Sequence, residues 1–405
     1  DWDATVVLLD ALLESEAADG PAVVSYGQLL LRDVKRQGYG TMLDNQGGNG
    51  ELADVSDDVV EEYVTRAAAG LFDTPPRTLR LPVRETPIVP WTGPEDWVYV
   101  ELPTDKPIGR KMDGDVSTAA IQAAFDRAAA EGKSTVVFPA YRPHPDGEGL
   151  QWITEGSYTI NSTIRVHGSV RRVYGLESNL YFSGSLTEGE WLPAFKIEDL
   201  NDDVEAIVFE QFWMTPWRTD VHGRKWTVFE NHTDKALVLK NLSPSGANYR
   251  SVVRDGRTIS GPLFVTDVTG HPYYFGPGQQ VWARQINPED NDTMIVNDGG
   301  DLWIFGIKVE GYGTVVETKN GGRTEVLGGL LYHSWGPKAN RGAPAFSSVD
   351  SDLSVSYATT VFTEDRRTDL QVRAQRGDRV DEVRAQGLPG RTMGLVVPLA
   401  VERRE

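Results

Sequence analysis

The stretch from Gly261 to Trp335 repeats itself at a nearly constant spacing. Four residue pairs match at a spacing of 21: Val281 with Leu302, Trp282 with Trp303, Ile286 with Ile307, and Glu289 with Glu310. At a spacing of 22 the corner glycines Gly299-Gly300 match Gly321-Gly322, and four further pairs match: Ile304 with Val326, Gly306 with Gly328, Val309 with Leu331, and Glu310 with Tyr332. A second short run repeats alongside, Thr293–Val296 over Thr314–Glu317. A period of about 20–25 residues with strand-like runs and glycine corners is typical of a parallel β-solenoid.

A solenoid coil cannot bury its inward side chains alone, so we expect successive coils to stack about 4.8 Å apart and pair their backbones. The runs Leu263–Val268 and Leu237–Leu242 fit the same first strand, although less regularly. The alternative is an antiparallel sandwich with a coincidental similarity. The joint repetition of two strands and their corner glycines favours the solenoid.

The chain divides into four predicted regions. Residues 1–50 are expected to be terminal coils of a preceding β-helix or a docking segment, because Gln28–Val34 resembles the strand around Asp267. We favour the first of these alternatives, in which a preceding solenoid has been removed. Residues 51–112 are predicted as a helix plus a proline-rich linker, residues 113–365 as the β-helix, and residues 366–405 as a C-terminal tail.

Several local patterns predict individual elements. The pattern of Asp54–Val64 predicts a short helix with acidic residues in its first turn. Asp115–Gly132 is the clearest helix, capped by Ser117 or Thr118, and a buried strand follows at Thr135–Pro139. The tail is expected to be irregular, apart from a final strand at Leu395–Val401. Trp91 and Trp97 are expected to anchor the linker.

The composition narrows the range of partners. The chain has 59 acidic and 40 basic residues, a net charge of −19, which argues against a nucleic-acid or anionic-membrane partner. It contains no cysteine, so disulfides, thiol nucleophiles and cysteine metal sites are excluded. Its longest apolar runs are too short to span a membrane. Its eleven tryptophans are compatible with surfaces that stack on sugars.

Three glutamates are the candidate catalytic residues. Glu289 and Glu310 share one column of adjacent predicted coils, so their Cα atoms are expected about 5 Å apart. At such a short separation the two negative charges repel, which raises the pKa of one carboxyl group. The alternative is that both face solvent and pair with Lys308 or Arg284. Glu325 is either a groove residue or a structural partner of Arg323.

The candidate substrate-binding residues are aromatic or basic side chains near the glutamate column or on predicted loops. They are Trp282, Arg284, Trp303, Tyr332, His333, Trp335 and Trp217. A lone histidine such as His333 is more often structural. Asn241, Asp267 and Gln285 share a column that we interpret as an internal hydrogen-bond ladder. No metal ligands are assigned. The acidic run Glu289–Asp292 is compatible with a Ca²⁺ site, so Ca²⁺ binding stays an alternative.

The segment from Asp113 to Pro139, DGDVSTAAIQAAFDRAAAEGKSTVVFP, with GSYTI at Gly156–Ile160, resembles the start of the pectate-lyase-like right-handed β-helix superfamily. The wider arrangement is similar to glycoside hydrolase family 55 and its bacterial relatives, in which two tandem β-helices lie side by side. An insertion at residues 141–154 departs from the usual pattern. The resemblance implies an all-β chain: a right-handed parallel β-helix with an N-terminal capping helix and a partial preceding coil.

The same resemblance implies a secreted or extracellular enzyme, with the periplasm as the alternative. It would hydrolyse a β-1,3-glucan-like polysaccharide with a glutamate general acid and an activated water. A lyase acting on an anionic glycan with metal, arginine or lysine assistance is one alternative, and a non-catalytic glycan-binding or structural β-helix is the other. The expected partners are a polysaccharide or oligosaccharide and a second β-helix domain absent from this chain. Beyond the open Ca²⁺ question, no cofactor is expected.

Overall fold

The computed structural model describes residues 5–16, 19–46, 55–102, 114–139, 157–182, 192–215, 226–244, 247–334, 342–361, 368–391 and 394–404. Within these residues the chain is mostly β, with parallel sheets and one α-helix. It forms two compact units. Unit 1 comprises residues 1–82, 290–297 and 303–405, and unit 2 comprises residues 83–289 and 298–302.

The strands are numbered in chain order. The first group is β1 (Thr5–Leu9), β2 (Leu12–Glu14), β3 (Pro21–Ser25), β4 (Gln28–Gln37), β5 (Thr41–Asn45), β6 (Val59–Val64) and β7 (Ala69–Gly70). The second group is β8 (Trp97–Tyr99), the helix α1 (Gly114–Glu131), β9 (Thr135–Val137), β10 (Ser157–Ile160), β11 (Ile164–Gly168), β12 (Arg172–Phe182), β13 (Leu192–Leu200), β14 (Ala206–Thr215), β15 (Trp226–Asn231), β16 (Ala236–Pro244), β17 (Tyr249–Arg250), β18 (Val253–Arg254), β19 (Arg257–Thr258), β20 (Leu263–Thr269), β21 (Tyr273–Phe275) and β22 (Gln280–Asn287). The third group is β23 (Ile295–Asp298), β24 (Asp301–Glu310), β25 (Val316–Lys319), β26 (Arg323–Tyr332), β27 (Phe346–Val349), β28 (Asp352–Thr360), β29 (Leu370–Arg376), β30 (Arg379–Arg384), β31 (Gly390–Arg391) and β32 (Gly394–Glu402). Two 3-10 turns lie at Leu71–Asp73 and Pro94–Asp96.

Unit 2 contains two parallel sheets that the chain visits alternately. One has the order β22-β20-β16-β14-β12-β9-β8, with β10 also beside β12, and the other has the order β11-β13-β15-β17-β21. From β12 to β17 each strand of the first sheet is followed in sequence by one of the second, so the chain passes repeatedly between the two sheets. The hairpin of β18 and β19 is antiparallel.

A left-handed residue interrupts successive long strands of unit 2 at one position. Lys240, Thr266 and Arg284 are paired in register, so the next residues, Asn241, Asp267 and Gln285, share a column. Their φ angles are 52°, 52° and 59°, and all three are exposed. The predicted internal ladder is therefore wrong. The strand bends at this column, and Asn and Asp tolerate the left-handed conformation that the bend needs.

The helix α1 closely matches its prediction. Ile121, Ala124, Phe125 and Ala128 are buried, and Gly132 ends the helix with φ 66°. The predicted cap is wrong. Ser117 Oγ accepts the amide of Thr159 at 2.9 Å, so this hydroxyl holds β10 against α1.

The N-terminal part of unit 1 forms short parallel stacks. β1 and β2 both pair with β4, and β3 pairs with β5, over a core that includes Leu29, Leu31 and Met42. β6 pairs antiparallel with β4, so the helix predicted for Asp54–Val64 is wrong over its described residues. Pairing with a buried strand outweighs the acidic first-turn pattern, because helix propensity is only a weak local preference.

The remainder of unit 1 contains two sheets, β24-β26-β28-β32-β31 and β23-β25-β27-β29-β30. Met294 N donates to Thr314 O at 2.9 Å, and Ile295 N donates to Val315 O at 3.1 Å. The neighbouring strands β23 and β25 begin at Ile295 and Val316, so the 21-residue spacing predicted for the second strand is confirmed. The expectation of an irregular tail is wrong, since β29 to β32 lie there. The final strand is confirmed as β32, which pairs antiparallel with β28.

Candidate functional site

Glu325 lies completely buried in unit 1 as part of a charged network. Its carboxylate accepts Arg32 Nη1 at 3.0 Å, the backbone amide of Arg80 at 2.8 Å and that of Leu81 at 3.3 Å. The side-chain exposures of Arg32 and Glu325 are 3% and 0%. Both carboxylate oxygens therefore hold the N-terminal strands and the segment at Arg80 against β26. This geometry favours the structural alternative, with Arg32 as the partner.

Glu310 has the environment of an ionised carboxylate at a partly exposed position in unit 1. Its Oε1 lies 2.5 Å from Lys308 Nζ, and its Oε2 accepts Ser334 Oγ at 3.0 Å. Partial burial raises the pKa of Glu310, but the hydrogen bonds from Lys308 and Ser334 and the charge of Lys308 outweigh it and lower the pKa. Because 28% of this side chain is exposed, its carboxylate can reach solvent as an anion.

His333 lies beside Glu310 but is buried. Its Nδ1 is 2.8 Å from the carbonyl oxygen of Gly311, its Nε2 is 3.3 Å from Thr368 Oγ1, and its ring stacks on Tyr312. Burial lowers its pKa, although the Gly311 hydrogen bond opposes the shift. The geometry is that of a neutral structural imidazole. Tyr332, the preceding residue at the end of β26, is half-buried.

The other predicted residues that the structure describes are divided between unit 1 and unit 2. In unit 2, Glu289 is half-buried, and Arg284 donates to Arg84 O at 2.8 Å and lies 3.3 Å from Glu85. Trp282 is 4% exposed and stacks on Phe264 in unit 2, and Trp303 is 3% exposed and stacks on Phe305 in unit 1. These two indoles offer little face to a substrate. Trp335 and Trp217 lie outside the described residues.

An extended segment, Arg84–Thr92, crosses the outside of the long-strand sheet of unit 2. At one end the guanidinium of Arg84 lies 5.3 Å from the ring centroid of Trp282 on β22, and at the other Thr92 Oγ1 lies 3.4 Å from Thr135 Oγ1 on β9. Between them Arg172 on β12 donates to Val89 O. Eight residues of polyproline-like chain span about 25 Å, and the five strand spacings from β22 to β9 span about 24 Å.

The segment borders an open groove of about 670 Å³ in unit 2. The groove is lined by the segment itself and by residues that precede or begin successive strands, including Arg171, Asp203, Glu205 and Asp234. The positive charge of Arg171 is paired with the carboxylate of Asp203. The lining also contains the exposed carboxylates of Glu205 and Asp234.

Beyond this groove lies a surface that we call the aromatic row, formed by Trp91, Trp97, Tyr99 and Tyr174. Tyr99 on β8 and Tyr174 on β12 both lie in register with Val137 on β9, so their side chains share one face of the sheet. The Trp91 centroid lies 5.0 Å from that of Tyr174 and 6.1 Å from that of Trp97, so the Trp91 ring spans the gap over β9. The sequence indicated Trp91 and Trp97 only as anchors, and the period-2 spacing of Trp97 and Tyr99 was the available signal for an aromatic strand face.

Within the described residues, no group of three or more His, Cys, Asp and Glu side chains is arranged to hold a metal ion. In the acidic run after Glu289, Asn291 Oδ1 instead accepts the amide of Tyr312 at 3.0 Å, and Asp290 Oδ1 accepts the amide of Asn291 at 2.7 Å. Among the described residues no helix is long and apolar enough to cross a membrane.

Comparison with protein-family models and with curated proteins finds no match for this sequence.

Proposed function

We propose that the chain is a right-handed parallel β-helix with α1 as its N-terminal cap, similar to the pectate-lyase-like superfamily and to glycoside hydrolase family 55. The alternation between two parallel sheets in unit 2 and the repeated left-handed column support this proposal. The packing of α1 on β10 and β11 supports its role as a cap.

The proposed activity is hydrolysis of a neutral, β-1,3-glucan-like polysaccharide outside the cell, and the environment of Glu310 is the observation that carries it. An ionised, solvent-reachable carboxylate can accept a proton from water while the water oxygen attacks the anomeric carbon. The glycosidic oxygen leaves with a proton from a separate carboxylic acid. Lys308 and Ser334 orient Glu310 and keep it ionised, which suits the base and not the acid.

A non-catalytic glycan-binding protein is the second candidate. The burial of Glu325, Trp282, Trp303 and His333 favours it, because a groove enzyme would expose more of its predicted site. A lyase with Lys308 or Arg284 as its base receives less support. Both cations are paired with carboxylates, Lys308 with Glu310 and Arg284 with Glu85, and an ammonium or guanidinium group has no lone pair with which to accept a proton.

The test is a chromatographic product profile after incubation with a soluble β-1,3-glucan and with polygalacturonate. We expect saccharides from the glucan, and Glu310→Gln should reduce their rate of release by about 100-fold or more, because a general base contributes roughly 10²–10⁴-fold. Glu317→Gln is the matched control, since Glu317 pairs with Lys319 at the same spacing with a similar exposure of 34%.

Two results would overturn the hydrolase, and a third would overturn the role of Glu310. Unsaturated products from polygalacturonate that disappear on calcium chelation would indicate the lyase. Binding without any product would indicate the glycan-binding protein. Full glucan release by Glu310→Gln would remove the assigned role of Glu310.

A further inference from the structure

The aromatic row in unit 2 presents ring faces to solvent. Trp91 is 53% exposed and Tyr99 is 39% exposed, whereas Trp97 and Tyr174 are half-buried. The row is continuous, because the Trp97 and Tyr99 centroids lie 6.4 Å apart and Trp91 joins Trp97 to Tyr174. Four neighbouring rings on one face form a patch of a kind that soluble proteins usually keep for binding.

The rings are held in place before any ligand arrives. The Arg172 guanidinium lies 3.8 Å from the Trp91 ring centroid, and Tyr174 meets the same ring edge-on at 86°. Trp97 Nε1 donates to the carbonyl oxygen of Thr92 at 3.1 Å. A surface fixed in this way loses little conformational freedom on binding, so its contacts translate more fully into affinity.

The orientation of the rings distinguishes a sugar-binding site from a surface that packs against another protein. The interplanar angles are 53° between Trp91 and Trp97, and 60° between Trp97 and Tyr99, so these pairs are tilted and not stacked face to face. An aromatic face is electron-rich and attracts weakly positive C–H groups, such as those on the flat face of a pyranose ring. The hot-spot residues of protein–protein interfaces form compact clusters in desolvated pockets. The four rings of the aromatic row instead form a line on an open face of the sheet.

The polar groups around the row suit the hydroxyls of a neutral sugar. Arg171 and Glu205 line the groove on the near side of Trp91, and the groove continues away from the row along Arg84–Pro90. A sugar polymer stacked on the rings could therefore continue into a polar channel. The chain's net charge of −19 disfavours an anionic polymer on the same surface.

From these observations we infer that the aromatic row is a binding site for a neutral polysaccharide, separate from Glu310. It holds the sugar rings by stacking and performs no chemistry. The inference is compatible with the proposed hydrolase but does not depend on it, because stacking requires no turnover.

The test is isothermal titration calorimetry with a soluble β-1,3-glucan, with cello-oligosaccharides and with polygalacturonate. We expect one of the two neutral glycans to bind, and Trp91→Ala and Tyr99→Ala each to weaken that binding about tenfold or more, as hot-spot aromatics do. Trp91→Phe and Tyr99→Phe keep a ring and should retain most of the affinity. Tyr26→Ala is the matched control, because Tyr26 is an exposed tyrosine of unit 1 that is 74% exposed.

Circular dichroism establishes whether each variant is folded. If Trp91→Ala does not fold, the affinity of Tyr99→Ala alone tests the inference. Unchanged affinity in the row variants, absence of binding to both neutral glycans, or tighter binding to polygalacturonate would overturn the inference. Self-association abolished by Trp91→Ala would assign the surface to a second protein copy. Glu310→Gln separates the two proposals, since it should stop product release and leave the row's affinity intact.

Discussion

The buried ion pair of Arg32 and Glu325 gives the sharpest stability prediction for unit 1. Glu325→Ala removes the acceptor of the Arg32 guanidinium and of the amides of Arg80 and Leu81, all at 3.3 Å or less. Arg32 would retain only its 3.2 Å hydrogen bond to Thr78 Oγ1, with its charge enclosed at 3% exposure. Removing one partner of a buried pair typically costs about 3–5 kcal/mol, much of it from the charge left behind.

We therefore expect Glu325→Ala to lower the free energy of opening of unit 1 by about 3–5 kcal/mol. The assay is native-state amide hydrogen exchange, read at peptides from β4 and β26, because it reports the local opening of these strands. Glu317→Ala is the control, and its pair with Lys319, 34% and 33% exposed, should be worth about 0–1 kcal/mol.

A double variant separates the charge from the hydrogen bonds. Arg32→Met with Glu325→Leu removes both charges, so it should cost less than Glu325→Ala alone. It should still cost more than nothing, because the amides of Arg80 and Leu81 lose their acceptor. A change below about 1 kcal/mol in Glu325→Ala, or a double variant worse than either single one, would refute the reasoning.

Two further predictions concern single residues. Gly270→Ala would place a Cβ 1.6 Å from the backbone oxygen of Ala247, so we expect the free energy of unfolding to fall by about 3 kcal/mol or more, measured in urea. Gly20→Ala, with nothing within 4 Å, should change it little, and equal effects would contradict the clash. Because burial lowers the pKa of His333, the unfolded chain takes up its proton first, so stability should fall as pH drops below about 6.5 and stay level above it. Urea midpoints at neutral and acidic pH should differ more in the wild type than in His333→Gln, and equal differences would argue against a neutral buried imidazole.

The sequence predicted local order well wherever the repeat or a strong periodicity reports burial. The helix α1, the strand at β9, the final strand β32 and the 21-residue spacing between the starts of β23 and β25 all follow from patterns within a few tens of residues. It failed at Val59–Val64, where an acidic helix-like pattern is a strand, because pairing with β4 decides the conformation there.

The chemistry of individual side chains was less predictable. Glu310 and Glu325 are both glutamates of the repeated stretch, yet one is partly exposed beside Lys308 and the other is enclosed with Arg32. Trp282 and Trp303 were candidates for substrate contact, but neighbouring rings cover them. Among the described residues Trp91 is an exposed indole, and it lies on a segment where the sequence predicted only a linker anchor.

The sequence by itself determined the strand runs between Gly261 and Trp335 and the helix α1. These depend on which residues face inward within one short segment, and the local alternation or periodicity of apolar residues reports that directly. Only the tertiary structure decided that Glu325 meets Arg32, 293 residues away, and that Trp91, Trp97, Tyr99 and Tyr174 form one row. Such contacts join segments that are distant in the chain, and no local periodicity encodes which distant segment will cover or expose a given side chain.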